Sequence, residues 1–227
     1  MENTNKRYAI IVAGGAGIRM GTDKPKQFIE VNGLPILMYT LLRFDSLTAK
    51  PEIILVLPEQ HVKFWKELCQ NHSFQVPHTI AYGGSTRFQS VKNGLNLVES
   101  RNSLVAIHDG VRPLVSVKVI ESCYAMAAEK GSAIPVISPV ESIRISKEGK
   151  TESFPREKVM LVQTPQTFKT GIIKDCYQIP YSPDFTDDAS VVEANGIEIF
   201  TVEGNRENIK VTTPSDLIMA EILLKKI

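Results

Sequence analysis

The sequence predicts an α/β protein built on a mostly parallel sheet with helices on both faces, and three observations predict it. Residues 8–13 and 52–57 are short, nearly continuous apolar runs of the kind that fill strands buried on both sides. Such runs alternate along the chain with segments in which apolar residues recur at helical spacing. The first run is stopped by Gly14-Gly15, a strand-to-helix turn at the carboxyl end of a strand, where folds of this class take their ligands. At roughly 100 to 200 residues per domain, 227 residues allow one large domain or two small ones. The alternation is read here as a single domain over 1–227, with one inserted arm at about 138–158.

The first strand is central, because it has no polar face. After it, Leu34, Leu37, Met38, Leu41 and Leu42 recur at helical spacing, with Pro35 placed as a first-turn proline, and residues 52–57 form the next buried strand. A helix at about 61–69, a strand at 79–82 and a helix at about 86–98 follow; the last has Val91, Leu95 and Val98 as its apolar face. Residues 104–108 read as a strand, 117–128 as a helix and 133–137 as a strand. The texture then changes over 138–158 to alternating, charged and proline-punctuated sequence, which suits a hairpin or arm. Residues 159–163 read as a strand, 171–177 and 187–195 as helices and 198–202 as a strand. The last helix opens at Thr213-Pro214-Ser215-Asp216, a capping-box-like start with proline at the first helical position.

Composition excludes several classes. A hydrophobic fraction of 43% and a charged fraction of 22% are ordinary for globular chains and argue against disorder, collagen-like repeats and a coiled coil. With 26 basic and 25 acidic residues the net charge is +1, so no global field would hold the protein on nucleic acid or an anionic membrane. Cys69, Cys123 and Cys176 are odd in number and far apart, so they make neither a disulfide framework nor a metal-binding pair. With a polar start and an apolar run too short for a signal peptide, the expectation is a cytoplasmic protein.

Residues that can carry chemistry gather at predicted strand ends. The segment Ala13-Gly14-Gly15-Ala16-Gly17-Ile18-Arg19, with Lys26 shortly after, combines close-approaching backbone N–H groups with two cations and reads as a phosphate cradle. A Walker A loop is excluded, because Arg144 stands where its first glycine belongs before Gly149-Lys150-Thr151. The spacing of Gly15, Gly17 and Gly21 departs from the dinucleotide fingerprint. In His108-Asp109-Gly110-Val111-Arg112-Pro113, Asp109 is placed to hold Mg²⁺ bridging nucleotide phosphates; the plainer alternative is a helix-capping acid paired with Arg112. His108 is assigned to packing or loop support. The turn Gly83-Gly84-Ser85-Thr86-Arg87, with Ser90, can read a base or ribose, or can simply start a helix. Lys210 would supply a third cation for charge developing at phosphorus, and Thr186 with Asp187 would hold a polyol or its phosphate.

In chain order, Ala13-Gly-Gly-Ala-Gly-Ile-Arg-Met, Pro25-Lys-Gln, His108-Asp-Gly-Val-Arg-Pro, Thr164-Pro-Gln-Thr-Phe, Thr186-Asp-Asp-Ala-Ser and Asn208-Ile-Lys-Val-Thr resemble the 2-C-methyl-D-erythritol 4-phosphate cytidylyltransferases of the non-mevalonate isoprenoid pathway. The resemblance spans about residues 7–227. It implies a Rossmann-like nucleotidyltransferase fold with a protruding β-arm that intertwines two subunits, and it implies CTP, a sugar-alcohol phosphate and Mg²⁺. It further implies that Arg19, Lys26 and Lys210 are catalytic phosphate-side cations, and that Ala13, Gly14, Gly15, Ala16, Gly17, Gly83, Gly84, Ser90 and Asp109 bind nucleotide, with Asp109 also at the metal. Arg112, Arg156 and Thr186 match positions that meet the acceptor phosphate, with Arg156 arriving from the partner's arm. Gly14 and the 163–168 segment are equally at home in the related ribitol-5-phosphate cytidylyltransferases, so that acceptor is the alternative. An NADP-type oxidoreductase and a non-catalytic nucleotide-binding module are the readings from other classes.

Overall fold

The computed structural model describes residues 6–14 and 25–225. The apolar runs form the middle of a mixed sheet that has eight strands among the described residues. Strand β1 (Arg7–Val12) lies parallel between β4 (Glu52–Leu57) and β6 (Leu104–Asp109), and β5 (Thr79–Tyr82) extends the parallel set beyond β4. Two faces of β1 are buried because its side chains divide between two cores. Ala9 and Ile11 pack with α1 (Ile36–Asp45), α2 (Glu59–Asn71) and α4 (Val117–Lys130); Tyr8 and Ile10 pack with α3 (Arg87–Asn96), α5 (Thr170–Cys176) and α6 (Asp188–Glu193). Period-two alternation within an all-apolar strand thus feeds both layers, as expected for a covered parallel sheet. The α3 layer packs so closely that a Cβ on Gly94 would come within 2.8 Å of the Ile10 side chain.

Beyond β6 the topology departs from the sequence reading. Residues Gln166–Lys169 form β11, which runs antiparallel between β6 and β7 (Ser132–Ile137) and was not visible as an apolar run. The strand expected at 159–163 shrinks to β10 (Leu161–Val162), antiparallel to β7. The strand expected at 198–202 is β12 (Thr201–Glu203), parallel to β7 on the edge opposite β10, since Val136 pairs with both Val162 and Glu203. Pro35 is not a first-turn proline. It ends the short hairpin of β2 (Glu30–Val31) and β3 (Leu34–Pro35), and α1 begins one residue later. At the far end, Thr213 and Asp216 do form a capping box on α7 (Pro214–Leu224), with Pro214 in the first turn.

The inserted segment is a two-stranded ribbon, β8 (Ile143–Lys147) with β9 (Lys150–Phe154), which among the described residues pairs with no other strand. Between residues 140 and 162 only Ile143, Phe154 and Val159 are half-buried, and the rest are exposed. Among the described residues no helix is long and apolar enough to cross a membrane.

Candidate active site

Parallel register brings the chemistry to one edge. Val12 of β1 pairs with Val56 of β4 and with Asp109 of β6, so the segments leaving these strands emerge side by side. The cleft beneath them, about 300 Å³, is lined by Ala13, Gly14 and Lys26 on one side and by Gly84, Thr86 and Ser90 on the other. Gln27 is buried and donates from Nε2 to the Ala13 carbonyl at 3.0 Å, bracing the segment that leads from β1. On the facing side Thr86 caps α3 by accepting from the Gln89 N–H. Ser90 Oγ accepts from the Gly84 N–H at 3.0 Å and donates to the Thr86 carbonyl at 2.9 Å. The Ser90 hydroxyl therefore holds the turn in shape, with its one proton committed and one acceptor lone pair left for a ligand. At Gly84 a Cβ would sit 2.2 Å from the Gln89 side chain, so only glycine fits. Gly83 stands behind the wall, its N–H extending the sheet to the Leu57 carbonyl, and it does not line the cleft. Gly15, Ala16, Gly17 and Arg19 lie outside the described residues.

A second cleft of about 240 Å³ adjoins the first and is lined by Arg112, Gln163, Thr164, Gln166, Thr186 and Asp187. Among the described residues, Arg87, Asp109 and Lys210 alone line both clefts. Lys210 is carried by a segment pinned at two points: the Val211 N–H donates to the Val111 carbonyl at 2.9 Å, and Asn208 Nδ2 donates to the Thr164 carbonyl at 2.9 Å. The acceptor side is pinned by Gln166, whose Nε2 donates to Asp187 at 2.8 Å while its Oε1 accepts from the Ala189 N–H. Arg156 lies in neither cleft. It sits in a 3-10 turn at the base of the ribbon, exposed, donating to the Val140 carbonyl at 2.9 Å.

Asp109 is the electrostatic centre. Its Oδ2 meets Lys210 Nζ at 3.0 Å and Arg112 Nε at 3.2 Å, and its Oδ1 faces Arg87 Nε at 4.0 Å. Burial alone would push this carboxyl up; the charges of Lys210, Arg87 and Arg112 overcome it and hold the group well below the usual carboxylate range. The ion pair with Arg112 expected from the plainer reading is therefore present, and Lys210 is added to it. Among the described residues Oδ1 accepts no hydrogen bond. Among the described residues no group of three or more metal-ligating side chains gathers here, so this one oxygen could hold Mg²⁺ only together with phosphate oxygens and water.

His108 does support the loop, and its tautomer follows from its neighbours. The Arg112 carbonyl can only accept, which puts the proton of the neutral ring on Nε2 and leaves Nδ1 to accept from the Thr164 hydroxyl at 3.0 Å, while Thr164 Oγ1 itself accepts from the Asp109 N–H at 3.1 Å. The ring's Nε2–H then donates to the Arg112 carbonyl at 3.1 Å. Complete burial lowers the imidazole to about 4. A histidine lowered on folding stabilises the native state fully above its unfolded value of about 6.5, and that contribution fades as pH falls toward 4. The span corresponds to on the order of 3 kcal/mol. His108→Gln should therefore lose much less stability than the parent between pH 7.5 and 4.5, as read by urea unfolding at both pH values. His78, also lowered by burial, is common to both proteins and cancels.

Several lining residues escaped the sequence reading. Arg87 was read only as the last residue of the 83–87 turn, and Gln27, Thr164 and Gln166 act through partners distant in sequence. Two clefts meet over one carboxylate and several cations at the carboxyl edge of a covered α/β sheet, an arrangement suited to holding two phosphate-bearing ligands against each other.

The family model described as IspD, 2-C-methyl-D-erythritol 4-phosphate cytidylyltransferase, matches residues 8–226. The protein of that name from Bacteroides thetaiotaomicron is 51% identical over 219 residues, covering 96% of this chain and 100% of its own. The one from Bacteroides fragilis is 52% identical over 218 residues, covering 96% and 99%. A crystal structure of 4-diphosphocytidyl-2C-methyl-D-erythritol synthase from Anaerococcus prevotii superposes with a TM-score of 0.84 at 28% identity, covering 98% of this chain and 97% of the other. The chain belongs to the 2-C-methyl-D-erythritol 4-phosphate cytidylyltransferase family.

Proposed function

We propose that this protein joins CTP to 2-C-methyl-D-erythritol 4-phosphate, giving 4-diphosphocytidyl-2-C-methyl-D-erythritol and pyrophosphate, in isoprenoid precursor biosynthesis. The observation that carries the reading is the meeting of two clefts over Asp109 and Lys210 in a chain that matches the family over residues 8–226. That identity favours the methylerythritol phosphate over ribitol 5-phosphate, and a transferase over an oxidoreductase or a binding module. Three unpaired cysteines suit a cytoplasmic enzyme.

The acceptor's phosphate oxygen attacks the α-phosphorus of CTP in line, a P–O bond forms, and the bond to the pyrophosphate leaving group breaks. The nucleophile is already an anion near neutral pH, so the protein needs no general base; it needs positioning and charge stabilisation. Ala13, Gly14 and Gly84 would wrap the nucleotide, with Lys26 beside its phosphates and Arg19 assigned there by resemblance. Arg112 and Thr186 would hold the acceptor phosphate, and Lys210 would serve both substrates at the seam. Asp109 would hold Mg²⁺ through Oδ1, and the bound ion would neutralise charge on the nucleotide phosphates. The decisive assay is pyrophosphate release from CTP and Mg²⁺ with each acceptor, beside ATP, GTP and UTP. Release with CTP and the methylerythritol phosphate is the expected result; release only with ribitol 5-phosphate would move the acceptor assignment.

The ribbon is the proposed dimerisation arm, with Arg156 completing the partner's acceptor cleft. Exposed Val140, Ile145, Met160, Leu161 and Val162 on and around it give the apolar surface such an interface requires. Sedimentation should show a dimer at micromolar concentration. Mixing an inactive cleft variant with Arg156→Ala should restore part of the activity through hybrid dimers, and a purely monomeric protein would rule out the shared site.

A further inference from the structure

Of the three residues common to both clefts, Asp109 and Lys210 have roles above and Arg87 has none. Its guanidinium donates from Nη1 to Asp188 Oδ1 at 2.8 Å and from Nη2 to Asp188 Oδ2 at 2.6 Å, a two-bond fork that fixes its plane. Asp188 is fully buried, and its Oδ1 also accepts from the Tyr177 hydroxyl at 2.6 Å. Arg87 is the first residue of α3, directly behind the turn that walls the nucleotide cleft. Asp188 is the first residue of α6, directly behind Thr186 and Asp187 in the acceptor cleft. One ion pair between positions 101 residues apart therefore ties the two walls together.

The third face of the fork is Nε, 4.0 Å from Asp109 Oδ1. That is too long for a hydrogen bond, yet near enough to favour the rotamer that gives Oδ2 to Lys210 and Arg112 and turns Oδ1 to the seam. Arg87 therefore adds to the positive field that holds Asp109 ionised, and the fork to Asp188 adds a fixed geometry at the seam. We propose that Arg87, backed by Asp188 and Tyr177, is a positioning residue that sets the separation and alignment of the two bound phosphates. This rests on the cytidylyl transfer proposed above and adds a residue to it.

Lysine is the informative replacement, since it keeps the charge beside Asp188 but has neither the fork nor Nε. With displacement of bound reactants by about 1 Å worth on the order of 100-fold in rate, Arg87→Lys should lower kcat by about 30- to 100-fold. KM for CTP should stay within about threefold, because the cradle itself is intact. Tyr177→Phe, which removes one bond behind Asp188, should lower kcat by about 5-fold with the same pattern. Rates are expressed per CTP-binding site counted by calorimetry, so loss of folded protein does not register as loss of turnover. Unchanged kcat per site in Arg87→Lys, or a rise in both KM values at constant kcat, would overturn the proposal. If Arg87→Lys does not fold, Tyr177→Phe decides by the same criteria. Parent protein that releases no pyrophosphate with either acceptor would overturn the reaction itself and this role with it.

Discussion

Lys210→Ala is expected to lower kcat by about 100- to 1000-fold, read as pyrophosphate release at saturating CTP and acceptor. The ammonium sits on Asp109 at 3.0 Å but is 44% exposed and faces both clefts, so it can serve incoming phosphates without unpacking anything. In the proposed transfer, charge would develop at the α-phosphorus beside this cation, and a donor preorganised for the transition state contributes more to kcat than to substrate affinity. Folding stability should change little, because Asp109 keeps Arg112 and the lysine is half in water. Near-normal kcat in this variant would remove Lys210 from the chemistry.

Asp109→Asn should combine the two effects that Lys210→Ala separates. The shape is preserved, but Arg112 and Lys210 lose the carboxylate between them, and breaking a buried ion pair in this way costs about 3 to 5 kcal/mol. The lower end is expected, since Lys210 can turn to solvent and Arg112 still donates to the Asn208 carbonyl at 2.8 Å. Turnover should fall at least 100-fold or so, as for loss of any charged group at the reacting phosphorus. The pH dependence gives a separate check. A carboxyl held below its unfolded value stabilises the fold above about pH 3.9 and loses that contribution as pH falls further. Urea unfolding of the parent should therefore show an added acid loss below pH 4 that Asp109→Asn lacks, in a window distinct from that of His108. Equal acid sensitivity in the two proteins would contradict the charge arrangement at the seam.

Legibility of the fold tracked hydrophobicity. Strands β1, β4 and β6 announce themselves because both of their faces are apolar, and a run such as Tyr8 to Val12 has few other uses. Strand β11 does not, although it is central. Gln166 and Thr167 are buried there, and Gln166 is satisfied by Asp187 and the Ala189 N–H at the start of α6, partners that no local window contains. The site divides in the same way. Asp109 was legible because an acid at the end of an apolar strand has few structural reasons to be there; Lys26, Lys210 and Thr186 stood out as cations and a hydroxyl beside predicted turns, and the acceptor-side role of Arg112 came only from the resemblance. Arg87 was passed over because its meaning depends on Asp188, far along the chain; of the residues named in the facing turn, Ser90 lines the cleft while bracing the turn, and Gly83 stands behind it. Arg156 stands apart from both clefts of its own chain, and a single sequence is silent on what a second chain brings.

The ribbon leaves and rejoins the sheet at one rung, since Ile137 and Leu161 face each other as paired residues of β7 and β10. Everything between them hangs from that rung, while Gln163, Thr164 and β11 continue on the far side toward Asp109. Insertions, deletions or wholesale replacement of the intervening segment can therefore change what the molecule offers to a neighbour without disturbing the rung. The exception is the base of the ribbon, because on the proposed shared site Arg156 must still reach a partner's acceptor cleft; change is tolerated best at the tip, around the Glu148-Gly149 turn.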